Sequence, residues 1–231
     1  VKSARVRPAA RVAECTLGIL NDVVDAGVGA TDVAVAGVAG PAKAKRQRRD
    51  GSVRPEAPVG TLVAFSLGAN EGHRAHNIER AIAQLGEVVE LVAISPWYET
   101  TPVGFADQRD FINLVVLGRT RRPAKRVLEA ALAIERALGR RRDADAPRFG
   151  PRPIDIDLLF HGDAQLELPG LSVPHPRLAE RAFVLVPLCD VAPDLVHPGM
   201  RRTVRELLAA LPAEARAGVR RWSPEARVGL R

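Results

Sequence analysis

The chain has 231 residues, 46% hydrophobic and only 4% aromatic, which allows one ordinary domain with extensions and a substantial core but argues against stacking platforms for nucleic-acid bases. Its net charge is +7: residues 1–60 hold 10 Lys/Arg and 6 Asp/Glu, and residues 61–231 hold 24 and 21. The larger part is therefore only mildly basic, which suits an anionic small molecule at least as well as a nucleic acid. Cys15 and Cys189 belong to no metal-spaced or redox motif, so a reducing cytoplasm is expected rather than a disulfide framework. No run approaches the roughly 20 apolar residues that span a bilayer. Glu14, Asp22 and Asp25 interrupt any apolar signal region, which disfavours a cleaved secretory signal.

In chain order, residues 1–60 read as an N-terminal extension or linker of unknown role and poor order. They are rich in Gly, Ala and Val and then turn basic at "KAKRQRRD", a stretch that suits a solvated linker better than a binding patch. Residues 9–26 have the spacing of a short helix. From Thr61 the pattern becomes regular, and a domain is expected over 61–212. "TLVAFSLGAN" predicts a buried strand ending in a Gly/Asn turn. "HNIERAIAQLGEV" predicts a helix with Ile78, Ala81, Ile82 and Leu85 on one face, closed by Gly86. "VVELVAISPWYET" and "DFINLVVLGRT" predict two strands separated by the loop "TPVGFADQR". "PAKRVLEAALAIERALG" predicts a second helix, with Pro123 in its first turn and Gly139 beyond its end. An Arg-rich loop leads into the strand "IDIDLLF". A further strand, a helical turn and a helix-like stretch follow, then the amphipathic helix "TVRELLAAL" and a tail over 213–231. Strand–helix–strand–strand–helix–strand predicts an α+β fold: a ferredoxin-like antiparallel sheet with flanking helices, plus C-terminal additions.

Chemistry concentrates at "RFGPRPIDIDLLFHG". Strand alternation points Asp155 and Asp157 to the same face, roughly 7 Å apart, while Ile154, Ile156, Leu158 and Phe160 point into a packed layer. Two neighbouring carboxylates at a partly buried site must share a proton or hold a cation. Arg140, Arg141, Arg142, Arg148 and Arg152 crowd the preceding loop and leave surplus positive charge. A polyphosphate chelating Mg²⁺ satisfies both groups, because Mg²⁺ takes one or two carboxylates plus phosphate oxygens and water. His175, between two prolines and followed by Arg177 and Arg181, could join a second cationic group. "SLGAN" lacks the Gly-Lys-Ser/Thr ending of a phosphate loop and reads as a tight turn. Thr100, Phe111 and Asn113 could face the edge of a flat heterocycle.

"SLGAN", "SPWYETTPVG", "DFINLVV", "AIERALGRRR", "RFGPRPIDIDLLFHG" and "VPHPRLAERAFVLVPL" follow one another as they do in the 6-hydroxymethyl-7,8-dihydropterin pyrophosphokinases of folate synthesis. The chain resembles that family over roughly residues 62–210. The resemblance implies transfer of pyrophosphate from ATP to hydroxymethyldihydropterin, giving the pterin diphosphate and AMP. It implies two Mg²⁺ ions on Asp155 and Asp157, with Arg140, Arg142 and Arg152 contacting phosphates, joined by His175 and Arg181. Glu135 would lie near the nucleotide, and Leu158 and Ser172 would lend backbone groups to adenine. Phe111 and Phe183 would sandwich the pterin, with Asn113 and backbone groups of Thr100 and Val103 reading its edge and Phe149 nearby. The partners implied are these small molecules and other folate-pathway enzymes, not nucleic acid or membrane.

The sequence departs from the family pattern at five places. Phe149 stands for Trp, Pro153 for Thr, Leu132 for a frequent Gln, Thr101 for a common Pro, and Phe111 lacks the hydroxyl of Tyr. Two rivals remain on the residues alone. A nucleotidyltransferase would place its Gly-Ser turn beside the aspartates and release pyrophosphate. An RNA-binding module would use the basic loop, but no aromatic RNP-type strand is present.

Overall fold

The computed structural model describes residues 60–102, 104, 107–141 and 150–223. The predicted extension and its helix over 9–26 lie outside these, apart from Gly60, as does Cys15; Cys189 is a free thiol. Strand β1 (Thr61–Ala69) sends Val63, Phe65, Leu67 and Ala69 into one apolar cluster and Ala64 into another on the opposite side. Helix α1 (Arg74–Leu85) buries Ile78, Ala81 and Leu85 at helical spacing and ends at Gly86.

The next predicted strand is two strands, β2 (Glu90–Ile94) and β3 (Tyr98–Thr100). Pro96 lacks the N–H that would carry the ladder through. Ser95 spans the break, donating from its N–H to the Val115 carbonyl at 2.9 Å and accepting from Val115 N–H on Oγ at 2.9 Å. Strand β4 (Phe111–Thr120) and helix α2 (Ala124–Ala137) follow, with Pro123 capping the helix rather than lying within its first turn. Strand β5 (Asp155–His161) precedes a small hairpin of β6 (Leu166–Leu168) and β7 (Leu171–Val173). A 3-10 turn (Leu178–Glu180) leads into helix α3 (Ala182–Val191). The two-residue strands β8 (Val196–His197) and β9 (Arg202–Thr203) pair with each other, and helix α4 (Val204–Ala210) begins in a capping box of Thr203 and Glu206.

Helix α5 (Ala213–Ala217) and strand β10 (Val219–Arg221) lie in the first part of what the sequence suggested as a tail. Strand β10 pairs with β3, Val219 opposite Thr100 and Arg221 opposite Tyr98, so the segment completes a sheet edge. Three residues are too short for an alternation signal to mark them in the sequence.

The main sheet has six strands in the order β10-β3-β4-β1-β5, with β2 also pairing β4, and these ladders are antiparallel. Helices α1 and α2 cover one face through Phe65, Leu67, Leu114, Val127 and Ile156. The other face is covered by α3 and α4 only where Ala64, Val115, Leu117 and Leu159 meet Val184, Leu185 and Val204. Farther along, the same face carries Ser66 and Gly68 of β1, Phe111 and Asn113 of β4, and Asp155 and Asp157 of β5, and there it is open. One expectation needs correction: Phe160 packs in the α3-side cluster, not with Ile154, Ile156 and Leu158. A bulge explains this, since Phe65 opposes Leu158 while Ala64 opposes Phe160, leaving Leu159 as the extra residue.

The residue just before β4, Asp110, is tied to β3 by a buried cation absent from the sequence-based site. Arg74 of α1 is 5% exposed and donates to Glu99 of β3 at 3.0 Å and to the Asp110 carbonyl at 2.5 Å. Removing one partner of such a pair strands a buried charge, whereas removing both does not. Glu99→Leu is expected to cost about 3 kcal/mol in urea unfolding, and Arg74→Met added to it should recover at least half. Additive losses in that double-mutant cycle would rule out the coupling.

Candidate active site

The floor of the open face is set by Gly68. A Cβ at that position would lie 2.6 Å from Oδ1 of Asn113, so only glycine leaves room for this buried amide. Asn113 in turn donates from Nδ2 to Oγ1 of Thr100 at 2.6 Å, joining β4 to β3. "SLGAN" is thus the end of a strand whose glycine accommodates a neighbour, rather than a turn. Asn70, 1% exposed, was missed by the sequence reading. It donates to Gln108 at 2.8 Å and to the Arg109 carbonyl at 3.1 Å, and its Oδ1 accepts from Arg152 N–H at 2.8 Å. One amide therefore ties the approach to β5 to the loop before β4. A buried Asn with full hydrogen bonding was the available signal, but it needs the third dimension to read.

Asp155 and Asp157 share the open face, as alternation requires. Arg140 donates to Oδ1 of Asp155, and Arg152 donates to Oδ2 at 2.6 Å. The backbone turn that brings Arg140 there is Gly139, at φ 92°, a left-handed conformation that favours glycine at a helix end. Arg140 also donates to Oε1 of Glu135 at 2.6 Å. Glu135, which the family likeness put near the nucleotide, is 1% exposed and accepts a second bond from the Ile156 N–H at 2.8 Å. Asp157 accepts from Arg181 at 3.2 Å and has Nε2 of His175 at 3.9 Å. Nδ1 of His175 accepts from Arg177 N–H at 3.2 Å, which leaves Nε2 to carry the proton toward Asp157. Among the described residues, Arg140, Arg152 and Arg181 thus meet the three carboxylates Glu135, Asp155 and Asp157. The surplus of positive charge inferred from the sequence is largely offset here, with Arg142 and Arg148 outside the described residues.

The two aspartates differ in proton affinity. Burial pushes Asp155 up, but Arg140 and Arg152 outweigh it and hold the carboxyl below its ordinary range. Burial, followed by the neighbouring Asp155 charge, pushes Asp157 above it. Burial also lowers the His175 imidazole, against the pull of Asp157.

Two cavities meet at this point. One, of about 670 Å³, is bounded by Leu132, Leu158 and the β6–β7 hairpin with Ser172. The other, of about 540 Å³, is bounded by Thr100, Phe111, Asn113, Asp155 and Phe183. Asp157 and His175 belong to both walls. Guanidinium groups lie over both rings, Arg152 at 5.8 Å from the Phe111 centroid and Arg181 at 5.6 Å from that of Phe183. Of the residues named from sequence, Val103, Arg142 and Phe149 lie outside the described residues. The described ones gather here: Ser172 and Leu158 at the first cavity, Thr100, Phe111, Asn113 and Phe183 at the second, and the charged groups between.

A carboxylate pair held by guanidinium groups where two cavities join has the chemistry of an enzyme that transfers phosphate-bearing groups. The model of the 7,8-dihydro-6-hydroxymethylpterin-pyrophosphokinase (HPPK) family matches residues 64–193. The chain is 40% identical over 163 residues to the 2-amino-4-hydroxy-6-hydroxymethyldihydropteridine pyrophosphokinase of Synechocystis, covering 70% of this chain and 80% of that one. It is 44% identical over 154 residues to the protein of the same name from Pseudomonas aeruginosa, covering 66% and 93%. The fold resembles that of a Plasmodium falciparum HPPK-DHPS variant solved with pterin and p-hydrobenzoate, with TM-score 0.53 and 17% identity. That match covers 72% of this chain and 48% of the Plasmodium chain, so this chain spans about half its length. The chain belongs to the HPPK family.

Two expectations follow. Gly68→Ala should overpack the floor against Asn113 and cost about 1–3 kcal/mol, read as a lower urea midpoint at unchanged m-value. The raised Asp157 carboxyl implies that the folded protein keeps this proton to higher pH than the unfolded chain. Stability is therefore lost as pH rises through that window and stays reduced above it. Asp157→Asn should raise the thermal midpoint at pH 7, with the gain vanishing below the ordinary aspartate range. A variant less stable than wild type at pH 7 would contradict the raised affinity.

Proposed function

We infer that this chain transfers the pyrophosphoryl group of ATP to 6-hydroxymethyl-7,8-dihydropterin, releasing AMP, in folate biosynthesis. The observation that carries this reading is the junction itself: two cavities share Asp157 and His175, so two substrates could meet over the carboxylate pair. Family membership names the substrates. The strand order supports the ferredoxin-like reading of the core, with β5, β1, β4 and the β2/β3 pair as its four positions.

ATP would occupy the cavity beside the β6–β7 hairpin, its adenine against backbone groups of Leu158 and Ser172 and its phosphates toward His175 and Arg181. The pterin would lie between Phe111 and Phe183, with Asn113, Thr100 and Val103 reading its edge and Phe149 close by. Arg140, Arg142 and Arg152 would contact the phosphates. Glu135 would act through Arg140 and through the β5 backbone rather than on the nucleotide directly.

Two aspartates on one strand face fit Mg²⁺, which takes few carboxylates when phosphate oxygens complete its shell. Among the described residues there is no larger cluster of metal-ligating side chains that would favour a transition-metal cage. Asp155 and Asp157 would hold two ions, which supply charge neutralisation on the transferring phosphates. For them to bind, Arg140, Arg152 and Arg181 must release the carboxylates, and the incoming phosphates offer those arginines new partners. The pterin hydroxymethyl oxygen attacks the β-phosphorus and AMP leaves. The chain's contribution is to hold the two oxygens in line and to surround developing charge with fixed guanidinium groups.

No helix among the described residues is long and apolar enough to cross a membrane. The free Cys189 thiol and the use of ATP support a cytoplasmic setting, with other folate-pathway enzymes as neighbours. Chromatography of a mixture of protein, Mg²⁺, ATP and hydroxymethyldihydropterin should give AMP and the pterin diphosphate. Release of pyrophosphate would instead indicate a nucleotidyltransferase. Chelating Mg²⁺ should abolish turnover. Asp157→Ala should lower AMP formation at least about 100-fold, since metal clamps contribute several kcal/mol, while pterin still binds. Near-normal turnover by that variant would sink the metal assignment.

A further inference from the structure

We propose that the segment after α4, formed by α5 and β10, is a wall of the pterin cavity whose closure depends on a stack of the chain's two tryptophans. The proposal rests on the substrate assignment above. Ala215, Gly218 and Val219 line the cavity that contains Phe111, Asn113 and Phe183, and none of the three lines the cavity assigned to ATP. The segment lies beyond residue 193, where the family match ends.

Its placement is determined at both ends. Val219 pairs with Thr100, the residue that accepts from Asn113, so a shift of β10 reaches the polar edge of the cavity through one strand pair. Gly218 packs closely there: a Cβ on it would lie 3.1 Å from Oγ1 of Thr101. A three-residue edge strand has too few ladder bonds to hold itself, and side chains beyond it must supply the rest. Trp222 stacks on Trp97 with ring centroids 5.5 Å apart, and its N–H donates to the Trp97 carbonyl at 2.9 Å. Trp97 directly precedes β3 and Trp222 directly follows β10, so the stack locks the two strands in register. Arg220 reaches Asp110 at 3.2 Å and Arg221 lies over the Tyr98 ring at 5.8 Å, but both arginine side chains are well exposed and contribute less. Trp222 is thus a positioning residue, acting on the pterin through β10 and β3.

The test compares pterin and ATP dependence of AMP formation in three full-length variants. Trp222→Ala should raise the pterin KM roughly three- to tenfold, the worth of an aromatic pair, with the ATP KM within about twofold. Trp222→Phe should restore the pterin KM. Ala215→Phe adds a ring at an exposed position, leaves the thermal midpoint unchanged, and should raise the pterin KM alone by filling the cavity. Unchanged pterin KM in both Trp222→Ala and Ala215→Phe overturns the proposal. Equal increases in both KM values do the same. If Trp222→Ala does not fold, Ala215→Phe decides by itself. A wild-type chain that forms no AMP overturns the functional reading instead. Pterin fluorescence titration of the same variants then judges the wall, and unchanged affinities, or no binding by wild type, count against it.

Discussion

Glu135 joins helix α2 to strand β5 through a carboxylate almost sealed from water. A buried carboxylate needs hydrogen-bond partners, and Oε1 of this one accepts from both the Ile156 N–H and the Arg140 guanidinium. Arg140 reaches on to Asp155, so the line from helix to the open sheet face runs through two charge-assisted contacts. The left-handed turn at Gly139 makes this possible by reversing the chain directly after α2. Arg140 is therefore anchored to the packed core through Glu135. Preorganisation of this kind is what lets fixed charges stabilise a transition state without rearranging during the reaction.

The same chain of contacts makes the two aspartates unequal. Asp155 is held ionised by two guanidinium groups, while Asp157 has one at hydrogen-bond distance and a neutral-leaning imidazole farther away. Chemically equivalent residues two positions apart on one strand thus present different proton affinities. Among the described residues their partners are arginines, with three guanidinium groups meeting the three carboxylates Glu135, Asp155 and Asp157. The proposed binding of a metal-bearing polyphosphate would then be an exchange of partners, which avoids exposing bare carboxylates in a partly buried cleft.

Period-two alternation made the shared face of Asp155 and Asp157 legible from seven letters, and helical spacing made α1 and α2 legible. Proline at 96 was visible, yet its power to divide one apolar run into two strands depended on where β4 offered partners. The bulge at Leu159 was hidden because every residue from Leu158 to Phe160 is apolar, so periodicity could not say which one was extra. Asn70, Arg74 and Glu135 owe their roles to partners tens of residues away, and no local pattern carries that information. Strand β10 escaped notice for the opposite reason: it is too short to have a pattern, and its anchors sit on either side of it.

Helix α3 covers only part of the second sheet face, beginning at Ala182 just where Phe183 and Arg181 border the open region. On this side the extent of the open face is therefore set by where a helix begins. One more turn would add about 5.4 Å of helix at the end that borders this region. One turn fewer would remove the platform that carries Phe183. Helix length acts here as a gauge for one border of the cavity, while the α5–β10 segment and the stretch at Thr101 and Gly104 set others.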